Sequence, residues 1–215
     1  MNDNEDRPPP EKPSGARGRD SAQHDADAWR LAQRAVLRQR RAALAAATRR
    51  RADAAIAGHL NAALKNVADA CMAVFWPLAG EPDLRAWYAK RADAGQRLAL
   101  PVVLAVGEPL IFRAWSIDGV LARDALNIPC PPDSDAVQPD VIVAPCVGFD
   151  AAGFRLGGGG GYYDRTLQDT ASSRMLIGVA YDCLRLPSIR PQPHDVPFDM
   201  IISEEQVYYG AERGA

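Results

Sequence analysis

The chain has 215 residues, 47% hydrophobic and 24% charged, which predicts one domain with a sizeable core, with or without a tail. Twenty-five bases against 27 acids give a formal net charge of −2, which argues against a globally cationic nucleic-acid binder. No apolar run approaches the roughly 18 residues of a membrane span, and the first twenty residues lack the apolar stretch of a signal peptide.

Residues 1–26 are polar and broken by Pro8, Pro9, Pro10 and Pro13, so they read as a disordered tail before a single domain at 27–215. From Asp27 to Leu64 the chain turns to Ala, Arg and Leu, strong helix formers, with Thr48 as a candidate cap between two helices. Between Ala28 and Ala52 there are eight arginines and no acid. Arg30, Arg34, Arg38 and Arg41 fall on one stripe of the first helix. That stripe is either a solvated face or an anion-binding face, and the missing acids favour the second. Ile56, Leu60 and Leu64 mark the buried face of the second helix.

Ala70–Trp76 reads as a buried strand ended by Pro77. Glu81–Ala94 reads as a helix stopped by Gly95. Further strands are expected at Arg97–Val106, Leu110–Trp115, Val141–Ala144, Leu176–Ala180 and, last, from Met200. Asn127–Pro139 reads as an irregular connection and Tyr162–Gln168 as a helix. Strands alternating with helices predict a three-layer α/β/α sandwich on a mostly parallel sheet. Cys71, Cys130, Cys146 and Cys183 form no CxxC pair, and His24, His59 and His194 are scattered. Buried, reduced thiols in a cytoplasmic protein are the expectation.

The most informative segment is Pro145–Arg165, where a strand leads into Gly157, Gly158, Gly159, Gly160 and Gly161 and then into a helix. Five glycines are costly to order and pack nothing. Their use is to bring backbone N–H groups close to an anion, with the dipole of the next helix behind them. Arg155 brings a forked cation to the same place, and Asp164 stands where it can hold a divalent cation against phosphates. The loop lacks the Gly-Lys-Ser/Thr of a Walker A motif. A second acidic cluster, His194, Asp195 and Asp199, either completes a magnesium site or caps a turn before the last strand. No Ser-His-Asp or Cys-His arrangement supports covalent catalysis.

FDAAGFRLGGGGGYYDRTL at 149–167 resembles the signature of the 5-formyltetrahydrofolate cyclo-ligase (5,10-methenyltetrahydrofolate synthetase) family. The basic first helix, Trp76-Pro77 with Glu81 after it, and HDVPFDMII near the C-terminus stand in the matching order. The resemblance implies a ligase of folate one-carbon metabolism that uses ATP as co-substrate and Mg2+ as cofactor. The formyl oxygen of 5-formyltetrahydrofolate attacks the γ-phosphate of ATP, N10 captures the activated carbon, and phosphate leaves.

It implies roles by position. Arg155 and Tyr162 would be catalytic. Arg30, Arg34, Arg155, Gly157, Gly158, Gly159, Gly160, Gly161 and Tyr163 would bind ATP. Phe75, Trp76, Glu81, Gly158, Gly159, Gly160, Gly161 and Tyr162 would bind the folate, Phe75 being equally readable as core. Asp164 and Asp195 would hold magnesium. The implied partners are the two small molecules, with no nucleic acid and no membrane, on a cytoplasmic monomer or weak homodimer. The family usually has Lys at Arg30 and often a large residue at Gly158. These departures motivate an alternative, a non-catalytic nucleotide- or folate-binding relative with a regulatory role. RNA binding by the arginine helix is a third reading, which the chain's overall acidity and the lack of interleaved aromatics on that helix weigh against.

Overall fold

The structure is a computed structural model that describes residues 15–67, 69–168 and 174–211, with residues 15–23 described by backbone alone. Helix α1 runs Gly15–Ala42, so it begins twelve residues before the domain boundary read from sequence. Pro13 is the last proline before it, and Ala16, Arg17, Arg19 and Ala22 are all good helix formers. The rest of the expected tail, 1–14, lies outside the described residues. Helix α2 spans Ala46–Ala63, capped by extended Ala45 without a side-chain bond; Thr48 sits inside the helix and caps nothing. The break comes where Leu44 turns toward the core. Ile56, Leu60 and Leu64 are fully buried, as their spacing predicts.

Strand β1 (Cys71–Ala73) is followed by α3 (Arg85–Asp93), β2 (Arg97–Val102) and β3 (Ile111–Trp115). Helix α3 starts four residues later than expected. The backbone at Glu81 is used in a turn, Glu81 N–H to Leu78 O at 2.9 Å, and Pro82 follows. Gly95 stops the helix at φ +89°, the left-handed geometry that glycine supplies. A two-residue hairpin, β4 (Ala122–Arg123) with β5 (Pro129–Cys130), lies at the edge of the expected irregular connection. Next come β6 (Val141–Pro145), the hairpin β7 (Gly148–Phe149) with β8 (Arg155–Leu156), α4 (Tyr162–Leu167) and β9 (Met175–Val179). A 3-10 turn at Asp182–Leu184 precedes β10 (Met200–Ile202) and β11 (Val207–Tyr209). Strand β11 lies beyond the expected last strand. It follows a turn in which Ser203 Oγ accepts from the N–H groups of Glu205 and Gln206, both at 3.2 Å.

Seven strands form one sheet in the order β11-β10-β9-β6-β1-β2-β3. The four central pairings are parallel, and the outer two, β10–β11 and β2–β3, are antiparallel. Strand β1 is buried at every residue, and β6 and β9 at all but one. Burial on both faces is what a parallel sheet requires of its covering helices, and it gives the layered α/β fold expected from the alternation. The chain leaves β1 toward β2 and returns on its other side at β6, so the strand order reverses at β1. Open parallel sheets bind ligands beyond the carboxyl ends of their strands at such a point. Three of the four cysteines are buried, but Cys183 is exposed in the 3-10 turn, contrary to the expectation for all four.

The turn between β7 and β8 aims Arg155 and is built around buried Asp150. Its Oδ1 accepts from the N–H groups of Ala152 (3.1 Å) and Phe154 (3.2 Å), and its Oδ2 from Ile189 N–H (3.0 Å). Gly153 at the tip has φ +88°, and a Cβ there would lie 2.6 Å from Phe198 O and 2.8 Å from Gly210 Cα. Both obstacles are backbone. Gly153→Ala is therefore expected to destabilise the fold by about 2 kcal/mol or more. Urea denaturation checks it, and a change under about 0.5 kcal/mol would refute the account.

Candidate active site

One cavity of about 890 Å³ opens beyond the carboxyl ends of β1, β2 and β6. The residues to which the resemblance assigns roles all line it: Arg30 and Arg34 from α1; Phe75, Trp76 and Glu81 after β1; and Arg155, Gly157–Gly161, Tyr162, Tyr163 and Asp164 around the glycine loop, with Asp195 from the C-terminal segment; Asp199 does not. The sequence-based site list omitted Asp27, Arg38, Arg41 and Gln192, and also Leu126 and Ile128 of the β4–β5 hairpin, all of which line it too. Arg38 and Arg41 belonged to the recognised stripe. The hairpin residues carried no periodic signal that could have placed them.

Helix α1 holds the cavity wall through its arginines. Arg34 Nε donates to Gly157 O and Arg38 Nη2 to Gly158 O, both at 2.9 Å. In a trans peptide the N–H points opposite to the C=O. Fixing these two carbonyls toward α1 therefore turns the N–H groups of Gly158 and Gly159 away from the arginines, free to meet an anion. Burial and the neighbouring charges of Arg30 and Arg38 lower the Arg34 pKa, the mark of crowded cations facing one space.

Arg155 is buried and fixed on three sides. Its Nη2 donates to Asp164 Oδ1 at 3.0 Å, and its guanidinium lies 5.0 Å from the Tyr163 ring centre and 5.1 Å from that of Phe198. Its Nε has no hydrogen-bond partner. A Cβ on residue 157 would stand 2.7 Å from Arg155 Nη1, and one on residue 160 would stand 2.4 Å from the Tyr162 ring. Glycine at these positions makes room for functional side chains. At Gly158 the nearest atom to an added Cβ is Arg38 Nη2 at 4.0 Å, so this position has space for a larger residue. Helix α4, which follows the loop, has only six residues. Tyr163 is packed beneath Arg155, and burial raises its pKa, so it serves as a platform for the guanidinium.

The acids are less free than their spacing suggested. Arg30 grips Asp195 with both forks, Nη2 to Oδ1 at 2.8 Å and Nη1 to Oδ2 at 3.0 Å, and Gln192 N–H donates to Oδ2 at 2.6 Å. Both side chains are buried, where an unpaired charge is strongly disfavoured. Arg30, expected to reach ATP, is thus turned onto the carboxylate expected to hold metal. Asp199 accepts from Leu176 N–H of β9 at 2.7 Å, and this bond ties the start of β10 to the neighbouring strand and caps no turn. Among the described residues no group of three or more His, Cys, Asp or Glu side chains converges. Asp164 keeps Oδ2 clear of the Arg155 bond. One or two carboxylates with phosphate oxygens and water are the usual set for magnesium, so these residues fit that ion.

On the opposite wall Phe75 is 2% exposed and packs edge-on to Tyr88 while also lining the cavity. Trp76 meets Trp115 edge-on at 6.3 Å and carries the Arg85 guanidinium over its ring at 5.7 Å. Glu81 Oε2 accepts from Leu78 N–H at 3.0 Å. Burial pushes the Glu81 carboxyl above its usual range, against the pull of that bond and of Arg41. A raised folded-state pKa means that the ionised form costs stability above the unfolded pKa, and that the cost fades as falling pH protonates the group. Glu81→Gln is therefore expected to raise the thermal midpoint at pH 7, with the gap to wild type narrowing toward pH 4. Circular dichroism melts at both pH values measure this, and a lower midpoint for the variant at pH 7 would refute it.

Residues 26–204 match the 5-formyltetrahydrofolate cyclo-ligase family. The chain is 33% identical over 145 residues to a 5-formyltetrahydrofolate cyclo-ligase of Escherichia coli (strain K12), covering 64% of this chain and 79% of that protein. It is 34% identical over 140 residues to one of Mycolicibacterium smegmatis, covering 60% and 71%. The NMR structure of Aquifex aeolicus 5,10-methenyltetrahydrofolate synthetase superposes with a TM-score of 0.74 at 26% identity, over 86% of this chain and 95% of that one.

Proposed function

The chain belongs to the 5-formyltetrahydrofolate cyclo-ligase family, and from that we propose that it converts 5-formyltetrahydrofolate and ATP to 5,10-methenyltetrahydrofolate, ADP and phosphate. The observation that carries this reading is the shape of one cavity: arginines and a glycine loop on one wall, Trp76 and Glu81 on the other. ATP phosphates would lie on the loop amides, with Arg34 and Arg38 behind them. The folate's flat ring would lie along Trp76 with its polar edge on Glu81.

The formyl oxygen then attacks the γ-phosphorus and ADP departs. N10 adds to the activated formyl carbon, and phosphate leaves with the original formyl oxygen and the N10 proton. No protein nucleophile takes part. The work is positioning and charge stabilisation. Arg155 is assigned to the transferring phosphoryl group, because its guanidinium is already immobilised by Asp164, Tyr163 and Phe198. Tyr162 would close over the reacting formyl group. Magnesium would neutralise phosphate charge, held by Asp164 and by the remaining lone pairs of Asp195. We further assign residues 27–215 to one catalytic domain acting in the cytoplasm as a monomer or weak homodimer. The free cysteines support that compartment. No helix among the described residues is long and apolar enough to cross a membrane.

The near-ultraviolet band of the methenyl product, followed with 5-formyltetrahydrofolate and magnesium ATP, tests the reading. Product should require both ATP and magnesium. Arg155→Ala should lower turnover about 10²- to 10³-fold, the usual cost of one oriented charge-stabilising donor. Folded protein that binds ATP or the folate but makes no product would instead support the non-catalytic relative.

A further inference from the structure

Arg41, in the last turn of α1, is 8% exposed and lines the cavity. Its Nη2 donates to Ala79 O at 3.1 Å. Its Nη1 is buried and has no hydrogen-bond partner. The nearest carboxylate oxygen, Glu81 Oε1, stands 3.6 Å away, outside hydrogen-bond distance. Glu81 is itself tied by its other oxygen to Leu78 N–H. Each side chain is thus anchored through one atom, and the anchors hold the two charges as a loose ion pair with no direct hydrogen bond to Nη1. A guanidinium cannot discharge the mismatch by losing its proton, and a buried donor left unpaired is costly. Gly80, at φ +80°, keeps the space open: a Cβ there would press on Arg41 Nε at 3.3 Å.

We propose that Arg41 Nη1 and Glu81 Oε1 together read a planar ring edge with a carbonyl beside an N–H, and that Arg41 is the residue selecting the 4-oxo group of the pteridine. This rests on the folate reading above. In a 2-amino-4-oxopteridine, O4 and N3–H are neighbours on one edge. Arg41 would donate to O4, and Glu81 would accept from N3–H and the 2-amino group. A 4-amino group would set a donor against Arg41 and leave Nη1 unpaired, and a site built to bond one polar group rejects its mismatch strongly.

Calorimetric binding of two 5-formyl-tetrahydropteridines with the same tail, differing only in 4-oxo against 4-amino, tests this on wild type, Arg41→Leu and Arg41→Lys. Wild type should prefer the 4-oxo compound. Arg41→Leu should weaken it roughly ten- to a hundred-fold while changing the 4-amino compound little, so that the preference collapses. Arg41→Lys should restore part of it, with ATP affinity held within about two-fold across the set. Equal losses for both compounds would mark Arg41 as a packing residue and overturn the proposal, as would a wild type that binds both without preference. Folded wild type that binds neither would overturn the folate reading itself, and this inference with it.

Discussion

From Ala28 to its end α1 carries a row of arginines with no acid among them, and this architecture answers that charge by spending the row on three separate parts of the chain. Arg30 takes Asp195, Arg34 and Arg38 take the carbonyls of Gly157 and Gly158, and Arg41 takes the carbonyl of Ala79. These contacts join the C-terminal segment, the glycine loop and the stretch after β1 to one rigid rod. A five-glycine loop has little reason of its own to hold a single shape. Here two of its carbonyls are held from outside, and the steric needs of Arg155 and Tyr162 limit what its residues can be.

The electrostatics follow from the same row. Three of the cavity carboxylates are answered by an arginine, Asp195 by Arg30, Asp164 by Arg155 and, more loosely, Glu81 by Arg41, while Asp27 and Asp124 accept from amide N–H groups. Arg34 and Arg38 are left with carbonyl acceptors rather than carboxylates, beside the loop amides. The positive charge not spent on carboxylates therefore lies at the glycine-loop wall. The Glu81 end, where a cation and an anion share a buried corner, suits a neutral polar ring. One cavity thus carries two chemically different halves.

Much of this was legible in the residues. The arginine stripe, the glycine run and the buried faces at Ile56, Leu60 and Leu64 are written in composition and period, which survive without coordinates. The parallel centre of the sheet was readable because its strands are continuous apolar runs. What escaped notice has a common cause, since it depends on which distant groups meet. The hairpins β4–β5 and β7–β8 have two residues per strand, too few for any period. Spacing likewise cannot show that Arg30, 165 residues away in the chain, grips both oxygens of Asp195. Asp150, which sets the turn that aims Arg155, sat unremarked within the most scrutinised segment of the chain.

The reach of α1 also bears on how the protein is made. Arg30 leaves the ribosome 165 residues before Asp195, an interval of roughly ten to thirty seconds at ordinary translation rates. Through that time the partners arrive one by one, Ala79 for Arg41 first, then Gly157 and Gly158 for Arg34 and Arg38. The Arg30–Asp195 contact is therefore a late one, and the cavity wall that it braces cannot close before that segment has emerged.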